Sequence, residues 1–116
     1  MDIEKRITVC PTDTDPYNII HHPQYFIWTE EAILEWLISD LGNLNEISYE
    51  IIKFRCKFIS VGVLYDELSL RLCPRGRKKA EGGEVIRFQV RITNLKNKNQ
   101  VIDGEFFVRI KEKINE

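Results

Sequence analysis

Asp13-Thr14-Asp15-Pro16-Tyr17-Asn18-Ile19-Ile20-His21-His22-Pro23 leads straight into an apolar run that opens at Tyr25. Thr12 to Pro16 is turn chemistry, because Thr and Asp side chains bond nearby backbone and Pro16 stiffens the bend. From Pro23 to about Leu41 the pattern becomes helical. Phe26, Ile27, Ile33, Leu34, Trp36, Leu37 and Leu41 mark a stripe wider than a simple surface helix needs. Pro23 suits the first turn and Gly42 suits the stop. An acidic turn therefore sits directly before a long helix that the rest of the chain must cover. A carboxylate beside a helix N-terminus can act as a base while the helix amides polarise a carbonyl.

The remaining elements are strands. Ile3 to Cys10 alternates Ile7 and Val9 with Arg6 and Thr8, and Pro11 ends it. Ile51 to Val61 sets Ile52, Phe54, Cys56 and Phe58 against Lys53, Arg55 and Lys57, until Gly62 breaks the pattern. Leu64 to Cys73 places Leu68, Leu70 and Leu72 on one face. Pro74 to Gly83 reads as a polar, basic connection. Val85 to Leu95 and Val101 to Lys111 pair across a short turn as a hairpin. The order, one strand, one long helix, then four strands, predicts an α+β domain: a five-stranded antiparallel sheet packed on a single helix.

Size and charge bound the function. The 116 residues make one domain, 1–116, and 43% hydrophobic with 30% charged residues excludes a disordered chain. A formal net charge of -1 argues against a nucleic-acid surface, which usually leaves its domain basic. No apolar run approaches the ~20 residues that cross a bilayer, and the charged start Met1-Asp2-Ile3-Glu4-Lys5 lacks a secretory apolar core. The expectation is a cytoplasmic protein with no membrane partner. Cys10, Cys56 and Cys73 are odd in number and widely spaced, so free, packed thiols are expected rather than disulfides. Adjacent His21 and His22 point in different directions on a helix, and no third ligand follows at zinc spacing; no metal site is expected.

The opening motif resembles that of the hotdog-fold acyl-CoA thioesterases, most closely the 4-hydroxybenzoyl-CoA thioesterase branch and its short-chain relatives. Those proteins carry D-x-D-x-x-G-[IV]-[IV]-x-[HYF]-x-x-Y between the first strand and the long helix. This chain matches it from Asp13 to Tyr25 in register, with Trp28 and Ala32 following. Phe58 to Leu68, with Asp66 opening the next strand, resembles a weaker second signature of the family. The element order agrees as well, so the resemblance spans the chain. It implies a hotdog fold, the sheet wrapped around one long central helix. It also implies hydrolysis of an acyl-CoA, or of an acyl carrier protein thioester, without metal or redox cofactor.

Residue by residue, the resemblance gives Asp15 the catalytic carboxylate, nucleophile or general base, and His22 the position whose backbone N–H faces the thioester carbonyl. Asp13 and Tyr25 match positions that hold the loop and the start of the helix. Asn18 stands where the family has glycine; Asn is the commonest other residue to adopt a left-handed backbone, and its side chain lies where acyl group or pantetheine would pass. Arg75, Arg77, Lys78 and Lys79 could attract the phosphates of coenzyme A, or could be a solvated loop. Glu30 and Glu31 read as an exposed helix face, and Trp28 and Trp36 as core. The resemblance further implies a homodimer or homotetramer. From the bare residues Asp13 and Asp15 could equally be turn residues. Two other functions stay open: a hotdog hydroxyacyl-thioester dehydratase, and a non-catalytic acyl-thioester-binding protein.

Overall fold

The computed structural model describes residues 1–42, 45 and 47–112. Its elements run β1 (Ile3–Thr8), a short 3-10 turn (Pro11–Asp13), α1 (His22–Leu41), β2 (Ile47–Phe58), β3 (Glu67–Ala80), β4 (Gly83–Asn94) and β5 (Gln100–Glu112). The strands form one antiparallel sheet in the order β1-β3-β4-β5-β2. No helix among the described residues is long and apolar enough to cross a membrane.

Helical spacing decides which face of α1 is buried. Tyr25, Trp28, Thr29, Ala32, Ile33, Trp36 and Leu37 recur every three or four residues and are all covered. They meet the inward side chains of the sheet: Leu68, Leu70 and Leu72 from β3, Ile86, Phe88, Val90 and Ile92 from β4, and Phe106 and Val108 from β5. Each such side chain contributes about 1.5–3 kcal/mol on leaving water. The one hydroxyl on the buried stripe is satisfied, because Thr29 Oγ1 donates back to the Tyr25 carbonyl at 2.8 Å. Gly42 closes the helix, its N–H donating to the Ile38 carbonyl.

The sheet departs from the sequence expectation modestly at strand ends, where β2 runs Ile47–Phe58 instead of Ile51 to Val61 and β3 starts at Glu67 instead of Leu64, and most between Pro74 and Gly83. Pro74 to Gly83 is not a connection: β3 continues to Ala80, and only Glu81 and Gly82 separate it from β4. Gly82 has φ +76°, the left-handed geometry that a two-residue hairpin turn requires. The stretch is rich in Gly, Pro and Lys because it bends and faces water. A β-bulge between Pro74 and Gly76 shifts the register by one residue. Because side chains alternate, that shift reverses which positions face the helix. Arg75 stays on the outer face, whereas Arg77 pairs with Ile86 and turns to the helix side. Arg77 there donates to Asp40 at 2.8 Å and to Glu84, with its guanidinium 5.4 Å from the centre of the Trp36 ring.

Candidate active site at the start of α1

Residues 14 to 20 fold back on themselves just before α1. Thr14 bridges Ile20, Asp15 N–H donates to the Ile19 carbonyl at 2.8 Å, and Pro16-Tyr17-Asn18 forms the tip. Asn18 has φ +64°, the left-handed backbone expected where the resembling family has glycine. A second loop, Gly62 to Asp66, lies alongside. Ile20 N–H donates to the Gly62 carbonyl at 3.0 Å, and Leu64 N–H to the Asn18 carbonyl at 2.9 Å. Gly62 allows this approach, since a Cβ there would collide with the Ile20 side chain and crowd the Tyr25 hydroxyl. Tyr65 in the second loop is also left-handed, at φ +68°, a strained state for a bulky residue.

Asp13 anchors the assembly. Its Oδ2 accepts the Cys10 N–H at 2.8 Å, and its carbonyl accepts the His21 N–H at 3.0 Å, so one residue ties the 3-10 turn to the start of α1. Asp15 is half-buried. Its Oδ1 accepts the backbone N–H groups of Tyr17 at 2.8 Å and Ile19 at 3.1 Å, while Oδ2 has no partner among the described residues. The same side chain therefore shapes the turn with one oxygen and leaves the other open.

The first turn of α1 has one unclaimed amide. His21 N–H is held by Asp13, Pro23 has no N–H, and Gln24 N–H donates to the His21 carbonyl at 3.0 Å. The backbone N–H of His22 has no acceptor among the described residues, and it stands at the positive end of the helix. No acidic side chain occupies that first turn to neutralise it.

A cleft of about 140 Å³ opens beside this end of the helix, lined by Ile19, Ile20, His22, Tyr25 and the segment Phe58 to Val61. Its walls are mostly apolar. The His22 ring stacks on Phe58 with centroids 4.2 Å apart and planes 8° from parallel. Tyr25 is buried, edge-on to Trp28 at 5.7 Å. Burial pushes its phenol above the usual tyrosine value; a backbone hydrogen bond from Gly62 opposes this and the charge of Asp66 adds to it. Tyr25 therefore stays a neutral hydroxyl at the cleft. Asp66 itself is buried, with Oδ2 accepting from Asn94 Nδ2 and from Val63 N–H, each at 3.0 Å. It fixes the second loop to the β4–β5 turn.

Of the residues expected at the site, His22 and Tyr25 line this cleft. Asp15 and Asn18 belong to the loop that carries Ile19 and Ile20, and are not wall residues themselves. The four basic residues are elsewhere in the chain: Arg77 meets the C-terminal end of α1, Lys78 and Lys79 approach the β3–β4 turn, and Arg75 lies on the outer sheet face. They surround no common point. Ile59, Ser60 and Val61 are lining residues that fall inside the weaker second signature, Phe58 to Leu68, which gives them no role. Their one other signal is an apolar stretch running past the end of the strand alternation.

No protein-family model matches this chain, and no curated protein matches it. Solved structures do. A gentisyl-coenzyme A thioesterase shares 20% identity over 96% of this chain and 89% of its own, with a TM-score of 0.80. A 1,4-dihydroxy-2-naphthoyl-CoA thioesterase from Synechocystis is 14% identical over 97% of this chain and 88% of its own, with a TM-score of 0.79. A hypothetical thioesterase with coenzyme A from Streptococcus pneumoniae is 15% identical over 98% and 84%, with a TM-score of 0.78. The chain thus has the hotdog fold, the architecture that its sequence resembles and that these thioesterases carry.

Proposed function

We propose that this protein is an acyl-CoA thioesterase. The observation that carries the reading is the unclaimed His22 amide at the positive end of α1, opening on an apolar cleft beside the loop of Asp15. Thioester hydrolysis passes through a tetrahedral oxyanion, and a fixed main-chain donor stabilises it without reorganising. In this reading the acyl group rests against Phe58, Ile59 and Val61, and the carbonyl oxygen points at His22 N–H. Asp15, through Oδ2, removes a proton from water as it attacks the carbonyl carbon, or attacks directly to form an anhydride that water then opens. The C–S bond breaks, and the thiolate leaves as coenzyme A and takes up a proton. Asn18 and Tyr25 shape the passage and hold the start of the helix.

The active unit in this proposal is a homodimer formed along β2. That strand is one of the two sheet edges, and it exposes Ile52, Phe54 and Phe58, with Ile59 and Val61 just beyond. A long apolar edge left open is a pairing and aggregation hazard. Pairing β2 with a second copy would cover it and bring two clefts to one seam. Any contact of Arg75, Arg77, Lys78 or Lys79 with a coenzyme A phosphate would then be made to a neighbouring subunit's ligand. Sedimentation of native protein and of Phe54→Glu tests this: the variant should run as a monomer, and an unchanged mass would refute the β2 seam.

One observation favours a second reading, an acyl-thioester-binding protein without turnover: Asp15 Oδ1 is already committed to two turn amides. Release of free thiol from a panel of acyl-CoAs separates the two. Release that disappears in Asp15→Ala supports hydrolysis. Saturable binding without release supports the second reading.

A further inference from the structure

Asp66 and Asn94 form a buried polar pair, 8% and 3% exposed, that lies outside the cleft. Asn94 is the last residue of β4, and most of its polar atoms serve the β4–β5 turn. Its Oδ1 accepts the Lys96 N–H at 2.9 Å and the Asn97 N–H at 3.4 Å. Its backbone N–H donates to the Asn99 carbonyl, and its carbonyl accepts from Lys98. Nδ2 alone leaves the turn, donating to Asp66 Oδ2.

Burying this pair is costly. The Asp66 carboxylate is met by neutral donors, Asn94 Nδ2 and the Val63 amide. A buried carboxylate so held costs stability that an apolar pair of like shape would not. The loop it sits in is strained besides, with Tyr65 left-handed, and such a state persists only where the surroundings over-determine it. Here they do. Tyr65 N–H donates to the Val9 carbonyl at 3.0 Å, Val9 N–H donates to the Asp66 carbonyl at 2.9 Å, and Asp66 N–H donates to the Val63 carbonyl at 3.1 Å.

What this costly arrangement holds is the turn before α1. Val63 bridges Ile19 in the antiparallel sense, Leu64 N–H holds the Asn18 carbonyl, and the Gly62 carbonyl holds Ile20 N–H. Ile19 N–H in turn donates to Asp15 Oδ1. A continuous run of contacts therefore joins Asn94 to Asp15 and to the residues just before His22. The acyl wall is held separately, with the amides of Ile59 and Ser60 on the Val101 carbonyl.

We propose that Asn94 is a positioning residue for the candidate active site: its side-chain amide, acting through Asp66, fixes the loop Gly62–Asp66 against the Asp15 turn and so sets Asp15 relative to the His22 amide. The catalytic consequence rests on the thioesterase reading; the mechanical one does not.

The test isolates one hydrogen bond in the full-length protein. Asn94→Asp keeps an acceptor for Lys96 and Asn97 but removes the donor to Asp66. Combining it with Asp66→Asn reverses the roles, restores a donor–acceptor pair and keeps an oxygen for the Val63 amide. Amide hydrogen exchange is followed by NMR in native protein and in both variants. In Asn94→Asp the amides of Ile19, Ile20 and Leu64 should exchange at least ~10-fold faster, while Phe88 and Val90 in the sheet keep native rates. Thiol release per folded molecule should fall at least ~10-fold in kcat, with KM within ~3-fold of native. The double variant should recover both readouts. Asn94→Ala, which sets no second carboxylate beside Asp66, should show the same pattern and decides the matter where Asn94→Asp does not fold. Native exchange at Ile19, Ile20 and Leu64 in a folded Asn94 variant overturns the proposal, as does an equal rise at Phe88 and Val90. A loss carried by KM alone, or a folded double variant no better than Asn94→Asp, overturns it too. If native protein releases no thiol from any acyl-CoA, the thioesterase reading falls, and the exchange rates still decide whether Asn94 holds the loop.

Discussion

At its C-terminal end α1 is clamped, while at its N-terminal end it is left open. Asp40 receives Arg77, the guanidinium lies over Trp36, and the indole Nε1 donates to the Met1 carbonyl at 2.9 Å. The opposite end, roughly 30 Å away at 1.5 Å per residue, has no capping side chain and no acid in its first turn. Its surroundings are half-exposed apolar side chains and a carboxylate with one free oxygen. Helix ends are usually satisfied locally. Where one end is held by charge and stacking and the other is not, the unsatisfied end is where an outside electron-rich atom gains most. The contrast separates stability, concentrated at the clamped end, from chemistry, concentrated at the open one.

The largest expected effect breaks the clamped end. Trp36→Ala should cost about 3–5 kcal/mol of stability by chemical denaturation, through a cavity beneath Phe88 as well as the missing hydrogen bond. Turnover per folded molecule should stay native; a collapse of turnover in the folded fraction would erase the division of labour between the ends. Next comes the open end. Asp15→Asn keeps a carbonyl acceptor for the Tyr17 and Ile19 amides but removes the charge, so it should melt like native and drop at least ~100-fold in thiol release. A variant that melts normally and still releases thiol at the native rate removes Asp15 from the chemistry.

Phe58→Ala should raise KM about 10-fold with a smaller change in kcat, because the stacked partner of His22 and one cleft wall disappear while Asp15 stays. An effect on kcat alone would place Phe58 outside the binding surface. Arg77→Gln should cost ~1 kcal/mol or less, since its ion pairs are partly exposed. Smaller still is the response to pH. Asp2, Glu67 and Glu105 are held below their ordinary values, chiefly by hydrogen bonds from Cys73 and Arg71, from Thr8 and Arg6, and from Arg55 and Arg87 respectively. A depressed folded-state value stabilises above the unfolded value and is lost as pH falls through the folded one. Melting temperature should hold from neutral pH to about 5 and decline below about 4. Glu67→Gln with Glu105→Gln should shallow that decline, and an unaltered slope would discard the assignment.

Much of this contrast is legible in the sequence. Ile33, Trp36 and Leu37 mark the helix and part of its buried face, although Ile27, read into the same stripe, is exposed and Tyr25, Thr29 and Ala32 complete the face instead; the alternation from Val85 and from Val101 sets the final hairpin. A left-handed Asn18 after Asp15 follows from the resemblance, which puts Asn, a residue that tolerates this backbone, at the family's glycine position. What the sequence conceals depends on pairing across long separations. Pro74 to Ala80 carries loop composition, yet β4 supplies it with a partner, and composition is silent about partners. Arg75, Arg77, Lys78 and Lys79 read as one basic cluster because neighbours in sequence look like neighbours in space. The cleft wall from Phe58 to Val61 is hidden for a related reason, since it becomes a wall only when Gly62 lets two loops close on Ile20.

The bulge at Pro74–Gly76 has a consequence beyond shape. One surplus residue acts as a phase switch for everything between it and the hairpin tip. Deleting that residue would rotate Lys78 toward Trp36 and throw Arg77 outward, exchanging an internal strut for a surface cation without altering a single remaining letter of the chain. Two adjacent positives can therefore evolve under unrelated pressures, one answering to the helix and the other to whatever the solvent delivers.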